Sequence, residues 1–241
     1  MSATTARLPS LSGRHLGGRR IALFGGTFDP IHAGHLAVAR AAARRFHLNE
    51  IHFIPTARPP HKHQHAMAPF ADRYAMVALA CAGYARFIAS LAESGQDHAG
   101  RGAYYSVDTV RRFRLKLRAG SIRLFFLMGA DSFLHIRTWK DYQTLLGLCD
   151  FIVASRPGFR IDALREVIPA SLLAPGTAAR LASKSHAIAL RRTTIFVLDS
   201  VSSYVSATEV RGRLDRGQPI HTLVPPRVEE YITKQALYRC R

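Results

Sequence analysis

The sequence predicts an α/β protein, an open parallel sheet with helices on both faces. Three observations carry the prediction. Short apolar runs alternate with longer stretches of helical spacing along most of the chain, as successive βαβ units with right-handed crossovers require. The run from Ile122 to Met128 is nearly continuous in apolar residues, broken by Arg123, as expected of a central strand covered on both faces. The first run, Ile21 to Phe24, stops at Gly25-Gly26, the punctuation of a tight turn out of a strand.

Taken in order, residues 1–20 hold Arg7, Arg14, Arg19 and Arg20, no acid and no apolar period, and read as a disordered basic leader. Its composition overlaps that of an organellar transit peptide, but no amphipathic helix supports targeting. Residues 21–241 read as a single domain with a small C-terminal helical part. Ile21–Phe24 is the first strand, a helix follows over about 34–46, and Ile51–Ile54 is the second strand, ended by Pro55. A loop rich in Pro and His runs to Ala68, Phe70–Cys81 reads as helix and Phe87–Ala89 as a third strand. Residues 95–102 form a polar connection; Ser106 can cap a helix reaching Arg118, with Asp108 in its favourable first turn. After the central strand come a helix over Trp139–Leu148, a strand over Phe151–Ala154 and a helix from Ile161. The weakly patterned stretch 169–192 is an extra helix or an insertion. Thr194–Leu198 is the last strand, Ser206-Ala-Thr-Glu209 a capping box opening a helix that ends at Gly217, and Pro225-Pro226 the start of a helix running to about Tyr238.

Composition bounds the function. With 241 residues and 48% hydrophobic content the chain can bury a sizeable core, which excludes wholesale disorder. Thirty-four Lys+Arg against 16 Asp+Glu give a net charge of +18, which attracts polyanions without naming one. The cations are spread along the chain with no aromatic RNA-binding signature or zinc-finger spacing, so phosphorylated small molecules explain the excess as well as nucleic acid does. Cys81, Cys149 and Cys240 are an odd, widely spaced set that fits neither a disulfide framework nor a zinc site. We therefore expect a reducing compartment, the cytoplasm, and no membrane span.

In an open α/β sheet ligands bind beyond the carboxyl ends of strands. The loop there, Gly25-Gly-Thr-Phe-Asp-Pro-Ile-His-Ala-Gly-His35, is built for phosphate: glycines allow close backbone approach, and the turn presents amides at a helix start. His32 and His35, three apart, share one face of the first helical turn and can donate to one phosphate. The loop is neither G-x-G-x-x-G nor a Walker A sequence. Late in the chain, Ser206 and Thr208 sit at a helix N-terminus with Arg211 one turn on, able to fork onto phosphate oxygens. Trp139, the sole tryptophan, could stack on an aromatic ring, although a lone tryptophan is more often packing material. His61, His63 and His65 alternate, but a solvent-facing loop explains them better than a metal does.

The Gly25-to-Leu36 segment resembles the nucleotidyltransferase family whose members carry G-x-F-D-P-x-H-x-G-H. The likeness extends over about residues 21–239, through Met128-Gly-Ala-Asp131, Arg156-Pro-Gly158, Ser206-Ala-Thr-Glu-Val-Arg211 and the closing Tyr231–Tyr238, and Pro59-Pro-His-Lys62, Tyr105-Ser-Val-Asp-Thr109 and Thr138-Trp139 narrow it to the nicotinate-nucleotide adenylyltransferases. The resemblance implies a Rossmann-like sheet of the nucleotidyltransferase type and transfer of AMP from ATP to nicotinate mononucleotide, giving deamido-NAD and pyrophosphate. It implies catalytic roles for His32, His35 and Arg211. ATP contacts are expected at Gly25, Gly26, Thr27, Phe28, His35, Gly129, Asp131, Ser206, Thr208 and Arg211. Acceptor contacts are expected at Lys62, Asp108, Thr109, Trp139 and Arg156. The reaction needs positioning and charge neutralisation rather than a protein nucleophile, with Mg²⁺ accompanying ATP and no protein-held metal. ATP and nicotinate mononucleotide are the expected partners, without obligate nucleic acid; a homo-oligomer is left open, as is the choice between nicotinate and nicotinamide mononucleotide. Departures are Ala207 where the family usually has Ser, Tyr104 where it commonly has Ser, and the length of 169–192. Three other readings stand beside this one: a sibling enzyme acting on phosphopantetheine, a fragment of a class I aminoacyl-tRNA synthetase, and a basic RNA-binding module.

Overall fold

Alternation along the first strand decides which helices go where. In β1 (Arg19–Gly26) Ile21 and Leu23 point to one face of the sheet and Ala22 and Phe24 to the other. Helices α1 (Ala33–Arg45) and α2 (Phe70–Cys81) pack on the Ala22/Phe24 face, joined by α7 (Ala207–Asp215) and α8 (Pro226–Lys234) through Val210, Val228 and Ile232. The Ile21/Leu23 face is covered by α3 (Ser106–Lys116), α4 (Ala130–Leu134), α5 (Tyr142–Leu148) and α6 (Ile161–Glu166). Ile21, Ala22 and Leu23 are fully buried, and burying the Ile21 and Leu23 side chains is worth about 1.5–3 kcal/mol each over leaving them in water.

The computed structural model describes residues 18–57, 67–94, 104–117, 122–155, 159–175, 186–199 and 205–238. The remaining strands are β2 (Glu50–Pro55), β3 (Phe87–Ala89), β4 (Ile122–Gly129), β5 (Asp150–Ala154), β6 (Ala187–Ala189) and β7 (Thr194–Leu198). They form one seven-stranded sheet in the order β3-β2-β1-β4-β5-β7-β6. All pairs are parallel except β6 with β7. This is the predicted Rossmann-like arrangement with helices on both faces. The chain winds outward from β1 through β2 to β3, then returns to β4 on the other side, so the strand order reverses between β1 and β4.

Several expectations need correction. Strand β1 starts at Arg19, two residues inside the stretch read as a leader, because Arg19 and Arg20 pair with Ile122 and Arg123 of β4. The helix over Trp139–Leu148 starts only at Tyr142; Asp141 before it is left-handed at φ 48°, and Trp139 ends a short 3-10 turn over Ile136–Thr138. Helix α4, directly after β4, was not expected; extended Gly129 lets the chain leave the strand and begin a helix at Ala130. Tyr105, not Ser106, holds the N-cap position of α3, which ends at Lys116. The described parts of 169–192 hold a 3-10 turn over Ala170–Leu172 and the antiparallel edge strand β6. Helix α8 ends at Lys234, after which Ala236 and Tyr238 turn left-handed at φ 50° and 62°. The leader up to residue 17, the connection 95–102, His61, His63, His65 and Cys240 lie outside the described residues.

Candidate active site

The reversal of strand order opens a cavity of about 820 Å³ over the carboxyl ends of β1, β2 and β4. Its walls carry Gly25, Gly26, Thr27, Thr109, Gly129, Asp131 and Trp139 among the residues singled out in the sequence. Phe28, His32, His35, Asp108, Ser206, Thr208 and Arg211 are not in those walls; His32 and His35 stand at the start of α1, and Arg211 reaches Asp29. Lys62 and Arg156 lie outside the described residues.

The first loop needs its glycines for packing. A Cβ on Gly25 would sit 3.2 Å from Phe126 Cζ, and one on Gly26 3.1 Å from Phe28 Cζ, so two aromatic rings lie directly on the loop backbone. Phe28 itself is left-handed at φ 48°, a costly conformation for a bulky residue, and its ring is 2% exposed. That ring and Phe24 hold His35 edge-on, at centroid distances of 5.0 and 6.0 Å. His32 occupies the N-cap position of α1, and its backbone N–H donates to Nδ1 of His35 at 3.3 Å. Neutral His35 therefore carries its proton on Nε2 and can donate from there. The two imidazoles lie 3.7 Å apart. Burial pushes the His32 pKa down to about 4, so near pH 7 this ring is neutral, with one N–H to give; its buried Nδ1 has no hydrogen-bond partner among the described residues.

The late motif does reach the first loop. Arg211 Nη1 donates to the Asp29 carbonyl at 2.5 Å, and lies 3.9 Å from its carboxylate. Ser206 caps α7 by accepting from the Glu209 amide at 3.1 Å, so its hydroxyl is engaged in the role the capping box predicts; Thr208 is exposed beside it. Asp29 proves to be a hub: Oδ1 accepts from Tyr238 Oη at 2.7 Å and from the Ala68 amide at 3.2 Å. Tyr231 Oη donates to Asp72 at 2.8 Å, so the C-terminal segment is fastened to both the first loop and α2.

The opposite wall is aromatic and charged. Trp139 meets Phe126 edge-on at 6.1 Å, and Lys140 Nζ stands 4.4 Å over the Tyr105 ring and 3.7 Å from Asp108. Asp108 also pairs with Arg111 at 3.2 Å. Buried Thr109 donates its hydroxyl hydrogen to Glu93 at 3.0 Å, which engages it with the protein rather than with a ligand. Sequence reasoning missed Glu93, a 5% exposed carboxyl in the cavity wall whose pKa burial pushes up to about 7, against the opposing effects of Thr109, Arg112 and the Ala57 backbone. It also missed Arg73, fully buried in α2. An acid or an arginine inside otherwise apolar or polar-loop sequence is the only signal either leaves.

Over residues 23–213 the chain matches the cytidylyltransferase-like family. It is 39% identical over 222 residues to a Moorella thermoacetica protein bearing the name "Probable nicotinate-nucleotide adenylyltransferase", covering 92% of this chain and 93% of that one. A Geobacter sp. (strain M21) protein of the same name is 38% identical over 224 residues, with 91% and 98% covered. The chain belongs to the nicotinate-nucleotide adenylyltransferase family. Members are nucleotidyltransferases, and so is this chain. A nicotinic acid mononucleotide adenylyltransferase of Plasmodium falciparum, solved in complex with NaAD, shares the fold with a TM-score of 0.66 at 17% identity, covering 91% of this chain and 97% of that one. In this adenylyltransferase no described helix is long and apolar enough to cross a membrane.

Proposed function

We propose that the chain transfers the adenylyl group of ATP to nicotinate mononucleotide, giving deamido-NAD and pyrophosphate in NAD biosynthesis, in a reducing cytoplasm. The observation that carries the reading is the Arg211 bond to Asp29 of the His32/His35 loop, a loop whose Gly25–Thr27 end lines an aromatic-walled cavity where the strand order reverses between β1 and β4. A phosphate oxygen of the mononucleotide attacks the α-phosphorus of ATP. As the new P–O bond forms, the bond from that phosphorus to the β-bridging oxygen breaks, and pyrophosphate leaves with the electron pair. No protein nucleophile is required.

His35 donates from Nε2 to a non-bridging α-phosphate oxygen, where negative charge builds, and the loop amides add to it as preorganised donors. Arg211, anchored through Nη1 to Asp29, keeps Nε and Nη2 for the β- and γ-oxygens. Trp139 stacks on the pyridine ring, while Lys62 and Arg156 serve the acceptor's anionic groups. ATP in this class travels with a divalent ion, which we take to be Mg²⁺. Among the described residues no group of three or more potential ligands exists, and exposed Asp131 on the cavity wall is the carboxylate that can touch a largely hydrated ion on the triphosphate. When bound, such an ion would neutralise triphosphate charge and make pyrophosphate a better leaving group.

The test is pyrophosphate release from ATP and Mg²⁺ with nicotinate mononucleotide, nicotinamide mononucleotide or phosphopantetheine offered in parallel. Strong preference for nicotinate mononucleotide is expected. Release with phosphopantetheine alone would overturn the acceptor assignment, and no release with any acceptor would overturn the reaction.

A further inference from the structure

No atom of the Arg73 side chain reaches solvent, and its guanidinium collects four backbone carbonyls: Ala68 on Nε at 3.0 Å, Thr27 and Thr56 on Nη1 at 2.8 Å each, and Ala57 on Nη2 at 3.3 Å. These acceptors come from the first loop, the turn after β2 and the approach to α2. A planar fork with five donors in fixed directions can serve such a set, whereas a lysine ammonium has three donors on one atom. Burial works against the charge, and Asp29 nearby supports it. For stability alone this is a poor arrangement, since a buried cation is often replaceable by an apolar side chain of similar volume.

What Arg73 achieves is directional. A peptide unit is planar, so its carbonyl and the following N–H point opposite ways. The Gly26 carbonyl accepts from the Thr56 amide at 2.9 Å, and the Thr27 carbonyl accepts from Arg73. Two successive carbonyls of the first loop are thereby held toward the β2 side. The N–H groups of Thr27 and Phe28 are turned away from it, toward the side where β1 meets β4. Phe28 sits immediately after, in its left-handed conformation, and such a conformation persists only when its surroundings over-determine it. The far end of the same turn is held by Arg211 on the Asp29 carbonyl.

We propose that Arg73 is a positioning residue for adenylyl transfer: it never touches the nucleotide, and it holds the Gly26-Thr27-Phe28 turn so that the turn's amides face the triphosphate. The proposal rests on reading the first loop as the nucleotide site. Its test compares Arg73→Lys with Met76→Ala, a fully buried residue of the same helix that makes none of these contacts and serves as the stability control. Both are assayed where each is fully folded, by Trp139 fluorescence. For R73K we expect kcat/KM for MgATP to fall at least tenfold with KM for nicotinate mononucleotide within twofold of the parent, and amide exchange at residues 26–29 to accelerate at least tenfold. M76A should leave both within about twofold. Arg73→Gln supplies the same comparison if R73K melts below the assay temperature. Kinetics of the Arg73 variants matching M76A would overturn the positioning role while leaving the nucleotide site intact. A parent enzyme inert with every acceptor would overturn both, and that measurement is made first.

Discussion

Around Asp29 every polar contact runs between distant parts of the chain: Arg211 from α7, Tyr238 from beyond α8 and the Ala68 amide from before α2 all converge there, with Arg73 behind. Around Trp139 the contacts also join separate segments, but they lie close to solvent. Asp108 and Lys140, with side chains 38% and 47% exposed, form a 3.7 Å ion pair that is worth under about 1 kcal/mol. The side we propose for the nucleotide is thus held by long-range hydrogen bonds, whereas the side we propose for the acceptor carries long, half-exposed side chains. Charge stabilisation at phosphorus depends on donors already aimed, because re-aiming them during reaction costs rate. Recognition of a flat ring depends mainly on an aromatic face, which tolerates adjustment.

The sharpest way to break this contrast is His35→Ala. Removing an aimed donor from the fixed side should cost about 10²- to 10³-fold in kcat, while the melting curve shows a folded protein. Near-parental turnover would mean that the fixed side is architecture rather than chemistry. On the adjustable side, Trp139→Ala should raise KM for nicotinate mononucleotide roughly tenfold with kcat changed far less, the pattern of lost uniform binding. A kcat loss as large as that of H35A would erase the distinction between the two sides.

The smallest effect concerns Glu93, in the wall of the cavity near Thr109. Its carboxyl has a folded pKa raised from 4.5 to about 7, so the folded state holds a proton that the unfolded state has released between those values. Its contribution is fully present below about pH 4.5 and is lost as pH rises through about 7. Glu93→Gln, neutral at all pH, should therefore stabilise the protein at pH 8 by on the order of 1–3 kcal/mol and leave it nearly unchanged at pH 5, read by urea unfolding at both. An equal gain at both values would show that packing, not ionisation, sets the difference.

Much of this was legible because the signals are local. Strand β4 announces itself by an apolar run, α7 by Ser206 and Glu209, and the candidate phosphate loop by residues contiguous from Gly25 to His35. The misreadings fall where local pattern is weak or ambiguous. Trp139–Asp141 has helix-compatible spacing, yet a left-handed Asp141 delays α5 to Tyr142. Strand β6 has three residues and takes its partner from β7, which no window of its own sequence contains.

By itself, then, the sequence determined the α/β class, the order of nearly all strands and helices, the phosphate loop and the residues Arg211 and Trp139 as candidates. The class, the elements and the loop follow from periodicity and motif, whose physical basis is the next few residues of chain, and Arg211 and Trp139 from the family resemblance. Tertiary structure alone decided that Asp29 is a hub, that His32 is buried and neutral, that Thr109 serves Glu93, and that Arg73 grips Thr27 from 46 positions away. Burial and long-range hydrogen bonding depend on which segments the sheet brings together, and neither leaves a mark on any single stretch of sequence.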